Sequence, residues 1–115
     1  MKQTLLTFAV AAGTAFAEPP RVEQAEAIQA GGGWRVSVTL SHPDTGWDHY
    51  ADGWRVEDAT GQEIGLRVLH HPHEHEQPFT RSLTLDSLPE GPLFVRARCS
   101  VDGWSETTHA LDVSR

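Results

Sequence analysis

The segment from Trp34 to Ser41 constrains the fold most strongly, because its residues alternate between apolar and polar without a break. In an extended strand, successive side chains point to opposite faces, so this period of two places every second residue on one face. The apolar members would then be buried and the polar members would face the solvent. The segment therefore predicts a strand with one buried face.

Shorter alternating segments recur along the chain and are separated by glycine, proline and aspartate turn signals. No segment after residue 30 shows helical periodicity. Residues 22–28 suit either a first edge strand or a helical turn. The pattern predicts an all-β chain, a seven-stranded antiparallel β-sandwich. The predicted strands are 22–28, 34–41, 53–57, 64–68, 79–85, 93–101 and a last strand that ends at Val113.

The residues from Leu88 to Arg98, followed by Asp102 to Ser105, resemble the final hairpin of fibronectin type III domains. The resemblance implies a fibronectin III-like or immunoglobulin-like sandwich, with Trp34 and Trp54 filling the core. The sequence departs from that family at Phe94, near the place where the family usually has a tyrosine that closes a corner by a hydrogen bond. A phenylalanine cannot make this bond, so the resemblance leaves the strand topology open.

The N-terminus predicts export. Lys2 precedes an apolar run over residues 4–12, and Ala15-Phe16-Ala17 has the small-x-small pattern of a cleavage site. We expect residues 1–17 to be a cleaved signal peptide and residues 18–115 to form a single domain. The apolar run is too short to cross a bilayer and no later run approaches that length, so we expect a periplasmic or secreted protein without membrane insertion.

Charge and cysteine content limit the classes of partner. Lys2 is the only lysine, and its removal would change the formal net charge from −7 to −8. An acidic surface disfavours nucleic acids and anionic membranes as partners. Cys99 is the single cysteine, so no intrachain disulfide can form. Its alternation with Val95 and Ala97 predicts a small buried side chain in the core.

Residues 70–76, here called the histidine segment, carry the residue types with the clearest chemical meaning. Neutral imidazoles bind zinc and copper, and carboxylates can complete the coordination. In an extended chain, alternate residues project to the same side. The segment thus predicts a copper or zinc site formed by His71, His73 and His75, with further candidate ligands His70, His49, Glu74 and Glu76.

Two other interpretations of the histidine segment stay open. A solvated histidine-rich loop would bind metals only adventitiously. Clustered imidazoles also change charge between about pH 5 and 8, so a pH-dependent partner contact is conceivable. The stretch that runs from the histidines into Glu76–Arg81 also resembles short exported proteobacterial proteins of unassigned activity. That resemblance implies export and names no function.

Exposed aromatic residues suggest a competing function. Trp47, Tyr50 and Trp104 lie in predicted loops, where aromatic side chains suit a partner surface. The sequence contains no Ser-His-Asp order, phosphate-binding loop or paired catalytic carboxylates. We therefore expect a protein that binds rather than catalyses. A metal-binding protein would serve a periplasmic transporter or a metalloprotein; the alternative is a protein interaction module with no physiological metal.

Overall fold

Nine β-strands and no helix form residues 18–115, the part of the chain that the computed structural model describes. The predicted signal peptide lies outside these residues, and no helix within them is long and apolar enough to cross a membrane. The strands are β1 (Arg21–Ala30), β2 (Gly33–Ser41), β3 (Ala51–Asp58), β4 (Glu63–Val68), β5 (Phe79–Leu85), β6 (Leu93–Cys99), β7 (Gly103–Trp104), β8 (His109–Ala110) and β9 (Asp112–Ser114).

The strands form two sheets, and the predicted all-β sandwich is confirmed. The first sheet has the order β5-β2-β1-β9, and the second has the order β4-β3-β6-β7, with β8 also paired to β6. All neighbouring strands are antiparallel except β1 and β9, which run parallel. The last predicted strand divides into three short strands, of which β7 and β8 join the second sheet and β9 joins the first. Residues 22–28 lie in β1, so their strand interpretation holds.

The core lies between the sheets and is filled by alternate residues of β2 and β6. The strand Gly33–Ser41 alternates between buried and partly exposed residues as its period of two predicts. Trp34 and Trp54 are both buried in this core, and Cys99 ends the buried row of β6. Burial of these apolar side chains, at about 25 cal/mol per Å², is the main favourable term for a fold without disulfides.

Two long connections cross between the sheets at the same end of the sandwich. Residues 42–50 join β2 of the first sheet to β3 of the second, and residues 69–78 join β4 of the second to β5 of the first. The last residue of β6, Cys99, also lies at this end, since it is paired with Ala51, the first residue of β3. This arrangement brings two histidines of the first connection, His42 and His49, close to Cys99.

Candidate metal centre

Three donor side chains meet at this end of the sandwich. His42 follows β2, His49 lies in the same connection, and Cys99 is the last residue of β6. One ligand atom from each residue lies within 4.8 Å of the other two. Donor atoms at this separation can converge on one metal ion, so these three residues form the candidate metal centre.

The orientation of His42 suits a ligand. Its Nδ1 lies 2.6 Å from Oδ1 of Asp44, and both side chains are fully buried. A carboxylate accepts hydrogen bonds, so the proton of the neutral imidazole belongs on Nδ1 and the lone pair on Nε2. That Nε2 is buried and has no hydrogen-bond partner among the residues that the structure describes. An orphaned buried acceptor is costly, and a metal ion would satisfy it.

A tight turn places His49. The His49 N–H donates to the Gly46 carbonyl oxygen at 3.1 Å, and the Thr45 N–H donates to the His49 carbonyl oxygen at 3.0 Å. Gly46 has φ +127°, a value that favours glycine. The His49 ring meets the His42 ring edge-on, with 4.7 Å between centroids. Its Nε2 is also buried and has no hydrogen-bond partner within residues 18–115, so both imidazoles present a nitrogen that is free to bind a metal.

Cys99 supplies the third donor. Its side chain is 0% exposed, and it forms no disulfide. The Val101 N–H points at Sγ over 3.4 Å. A backbone N–H donated to sulfur stabilises the negative charge of a thiolate. The prediction of a small buried cysteine therefore holds, and the structure makes Cys99 a candidate metal ligand, which the sequence did not reveal.

The donor set is two imidazole nitrogens and one sulfur. Imidazole suits zinc, copper, iron and nickel, and thiolate favours the softer members of that group, whereas calcium and magnesium prefer oxygen ligands. Structural zinc sites have four protein ligands, but catalytic sites keep one coordination position open. The three donors found in residues 18–115 fit a site of the open kind.

Asp44 connects this centre to the histidine segment. Its Oδ1 also accepts the Ala51 N–H at 3.0 Å, and its Oδ2 accepts the His73 N–H at 2.8 Å. The ring of His73 is buried and stacks on Phe79 with 3.9 Å between centroids. The histidine segment is thus hydrogen-bonded to the carboxylate that holds His42.

The ring of His73 is held by a basic neighbour. Arg81 lies 3.0 Å from His73 Nε2, and because the guanidinium can only donate, that nitrogen is the acceptor. Burial lowers the pKa of His73, and the positive charge of Arg81 lowers it further. The lowered pKa favours the neutral ring, whose single N–H proton lies on Nδ1 because Nε2 is the acceptor.

Of the predicted ligands, only His49 is found in the candidate metal centre. His49 belongs to the group of three donors, whereas the histidine segment contributes no donor to it. The rings of His71 and His73 are neighbours, with centroids 4.7 Å apart. The remaining side chains of the segment are exposed, and their role as ligands stays a prediction; they are His70, Glu74, His75 and Glu76, of which Glu76 pairs with Arg81 at 3.1 Å.

The predicted partner residues occupy two places. Trp47 is 68% exposed at the tip of the turn before His49, and its ring meets Tyr50 edge-on at 5.6 Å. Trp104 is half-buried on the second sheet, where Arg55 lies 4.3 Å from its ring centroid. A partner role for these aromatic residues stays a prediction.

Sequence reasoning missed His42, Asp44 and Cys99. One local signal was available, because a histidine two residues before an aspartate can form the short hydrogen bond seen here. Cys99 gave no such signal, since its strand pattern marks it only as buried. Its donor role depends on the pairing of β3 with β6, which joins distant parts of the chain.

The fold and centre together define a β-sandwich with a candidate two-histidine, one-cysteine site, and comparisons with known proteins bear on this class. No protein-family model matches the chain. A curated protein described as "Putative lipoprotein" from Halomicrobium mukohataei is 48% identical over 73 residues, which cover 62% of this chain and 35% of that protein. The chain thus spans about a third of the length of the curated relative it matches.

One solved structure supports the fold. A superoxide reductase (neelaredoxin) from Ignicoccus hospitalis is similar with a TM-score of 0.50 and 16% identity, over 91% of this chain and 87% of that chain. A second structure of the superoxide reductase of that organism has a TM-score of 0.48 and 16% identity, over 91% and 88%. At this identity the likeness concerns the fold.

These comparisons correct three expectations. The fibronectin type III assignment is wrong, because the solved structure with a similar fold is a superoxide reductase. Residues 93–104 contain β6 and β7, an ordinary strand pair that does not discriminate among sandwiches. The resemblance to proteobacterial proteins is also wrong, since the curated match comes from a halophilic archaeon. The exclusion of catalysis is contradicted as well, because one solved structure with a similar fold is an enzyme, a superoxide reductase.

Proposed function

We propose that this chain is an exported metalloprotein in which His42, His49 and Cys99 hold one redox-active transition-metal ion, copper in the first instance. One observation carries the proposal: one ring nitrogen of His42, one ring nitrogen of His49 and the thiol of Cys99 lie within 4.8 Å of one another. Each of the two rings also has a buried Nε2 without a hydrogen-bond partner among residues 18–115. Two histidines and one cysteine are the donor set of trigonal copper sites. Zinc and iron are the alternatives that the same donors accept.

The chain contributes orientation and exclusion of water. Asp44 holds the His42 ring, the turn at Gly46 holds His49, and the Val101 N–H supports the sulfur. Burial of these groups strengthens their electrostatic interactions with a cation. A bound copper or iron ion would supply one-electron redox chemistry and an open position for a small ligand.

Superoxide reduction is the activity that we assign to this centre as its first candidate. The supporting observation is the fold shared with a superoxide reductase over 91% of the chain. The reaction consumes one electron and two protons for each superoxide converted to hydrogen peroxide. Superoxide is a small anion, and three protein donors leave room for one such ligand on the metal.

Export is supported by two independent features. The leader-like residues 1–17 predict cleavage and release, and the curated relative is described as a lipoprotein. We therefore place the protein in the periplasm, in the medium or attached to the outside of a membrane. A transporter or another metalloprotein that supplies metal or electrons would be its partner.

Metal titration of the tag-free protein tests the proposed centre. We expect one copper ion per chain, with affinity lost in His42→Ala and Cys99→Ser. The matched control is the double variant His71→Ala/His75→Ala, which removes two exposed imidazoles of the histidine segment and leaves the three donors intact. Binding that survives His42→Ala and disappears in the double variant would overturn the centre in favour of the histidine segment.

The activity needs a separate assay. Protein loaded with copper, iron or zinc is exposed to a superoxide flux, and hydrogen peroxide is measured against the electron donor consumed. We expect equal amounts of donor electrons and peroxide with a redox-active metal and none with zinc. Peroxide without consumption of donor would indicate dismutation and would contradict the proposed reduction.

A further inference from the structure

We propose that Asp44 is a positioning residue that holds the imidazole of His42 and, through its second oxygen, ties the histidine segment to the metal centre. This inference rests on the proposed metal centre and assigns the histidine segment a role that does not require its side chains as ligands. Loading of the metal and ordering of the segment would then be coupled.

Both carboxylate oxygens of Asp44 accept hydrogen bonds. Its side chain is 0% exposed, although it lies in a loop and carries a carboxylate. Oδ1 receives His42 Nδ1 at 2.6 Å and the Ala51 N–H at 3.0 Å, while Oδ2 receives the His73 N–H at 2.8 Å. Hydrogen bonds to a charged acceptor are stronger than those between neutral groups, so this one buried carboxylate joins His42, the start of β3 and the histidine segment firmly.

A second connection runs parallel to the first. The His42 N–H donates to Gln77 Oε1 at 2.9 Å, and Gln77 Nε2 donates to the His73 carbonyl oxygen at 2.8 Å. His42 and His73 are therefore linked by both a carboxylate and an amide, although they lie in different connections. Movement of the His73 backbone would disturb the ring that presents Nε2 to the metal.

The arrangement has the form of a carboxylate–histidine pair at a metal site. Such a partner sets the tautomer and the direction of the ring, and its loss commonly weakens metal binding about 10- to 100-fold. Coupling between two equilibria is reciprocal, so an ion that stabilises the orientation of His42 also stabilises the hydrogen bond from His73. The exposed His71 and His75 are then carried on a segment whose order depends on the occupancy of the centre.

The test compares Asp44→Asn with Asp48→Asn. Both variants remove one carboxylate from the same loop. Asp48 is exposed and accepts none of the three hydrogen bonds that Asp44 receives from His42, Ala51 and His73. Three quantities are measured: the tautomer of His42 by two-bond ¹H–¹⁵N spectra of the metal-free protein, the amide exchange rate of His73, and the copper dissociation constant. Thermal unfolding shows whether each variant is folded.

In the wild type we expect the Nδ1-protonated tautomer of His42 and slow exchange of the His73 amide that slows further on loading. In Asp44→Asn we expect a mixed tautomer, exchange of the His73 amide about tenfold faster and a dissociation constant about 10- to 100-fold higher. Asp48→Asn should match the wild type. If Asp44→Asn also matches the wild type in tautomer and exchange, the proposal is overturned.

Two further outcomes are distinguishable. If the wild type binds no metal, the proposed function fails, while the tautomer and exchange of the metal-free protein still decide the role of Asp44. If Asp44→Asn does not fold, the wild type alone provides the test. An unchanged His73 exchange rate on loading would then refute the coupling, and a slower rate would support it.

Discussion

Ala51 lies directly opposite Cys99 in the antiparallel pair of β3 and β6. The pairing continues into the loops, because the Ser100 N–H donates to the Tyr50 carbonyl oxygen at 2.8 Å and the Tyr50 N–H donates to Ser100 Oγ at 3.0 Å. His49 is thereby held next to the end of the strand that carries the thiol. Sheet register, a property of the whole second sheet, thus determines the spacing of the candidate metal ligands.

Cys99→Ser should abolish the coloured copper complex and leave the fold intact. Serine is close to cysteine in size, so the core loses little packing, whereas the sulfur-to-copper charge transfer loses its donor. We expect no intense visible band after addition of Cu²⁺ and unchanged far-ultraviolet circular dichroism. Val101→Ala, which keeps the N–H directed at the sulfur, is the control and should retain the band. A visible band of full intensity in Cys99→Ser would show that the metal binds elsewhere.

Metal should protect the thiol from chemical modification. Cys99 is fully buried, so a thiol reagent reaches it only through local opening. A ligand that binds the folded state disfavours such opening in proportion to its saturation. The free copper concentration is set to at least about ten times the dissociation constant. We then expect the wild type to react with a disulfide reagent at least about tenfold more slowly than it does without copper. His42→Ala should show little protection. Equal rates with and without metal in the wild type would place the ion away from Cys99.

Protonation of His73 should lower the free energy of unfolding on mild acidification. Its pKa in the folded state is lowered, chiefly by burial and then by Arg81. The unfolded chain therefore binds the proton more readily. This contribution to stability is fully present above the ordinary histidine pKa of about 6.5 and is lost as pH falls through the lower folded value. Urea unfolding of metal-free protein between pH 7.5 and 4.5 measures it.

The variant His73→Phe isolates this effect. It keeps an aromatic ring against Phe79 and removes the titrating group, so the free energy of unfolding should depend less steeply on pH below about 6.5. His75→Phe changes an exposed histidine of the same segment and should leave the pH dependence of the wild type. Identical slopes for the wild type and His73→Phe would contradict the neutral, buried state of this residue.

The sequence predicts elements whose signal is local and misses the site, whose signal is not. The alternation over Trp34–Ser41 and that of β6 are consequences of strand geometry, and both are found as predicted. The metal site is predicted at the histidine segment because the donors of that segment are neighbours in sequence. The three donors that meet in space include one isolated residue, Cys99, which the β3–β6 pairing brings to His42 and His49. Only long-range register could have revealed that group.

Glu57 should govern stability at lower pH. Its side chain is 3% exposed and lies between two guanidinium groups, with Arg55 Nε and Arg96 Nε each 2.9 Å from Oε2. The hydrogen bond from Arg96 is the largest cause that lowers the pKa of Glu57. A lowered folded pKa means that the stabilisation is present above the ordinary glutamate pKa of about 4.3 and is lost as pH falls through the folded value.

Glu57→Gln should therefore destabilise the protein at pH 7 by about 1 to 3 kcal/mol, because both arginines lose a charged acceptor. The difference from the wild type should shrink as pH falls through the lowered pKa of Glu57, because the wild-type carboxyl group then also becomes protonated. Glu63→Gln, which removes a more exposed carboxylate 3.8 Å from Arg55, is the control and should cost less than about 1 kcal/mol. Denaturant unfolding of the metal-free variants gives both values. Equal stability of Glu57→Gln and wild type at pH 7 would mean that the buried ion pair contributes no net stabilisation, as happens when desolvation offsets the Coulombic attraction.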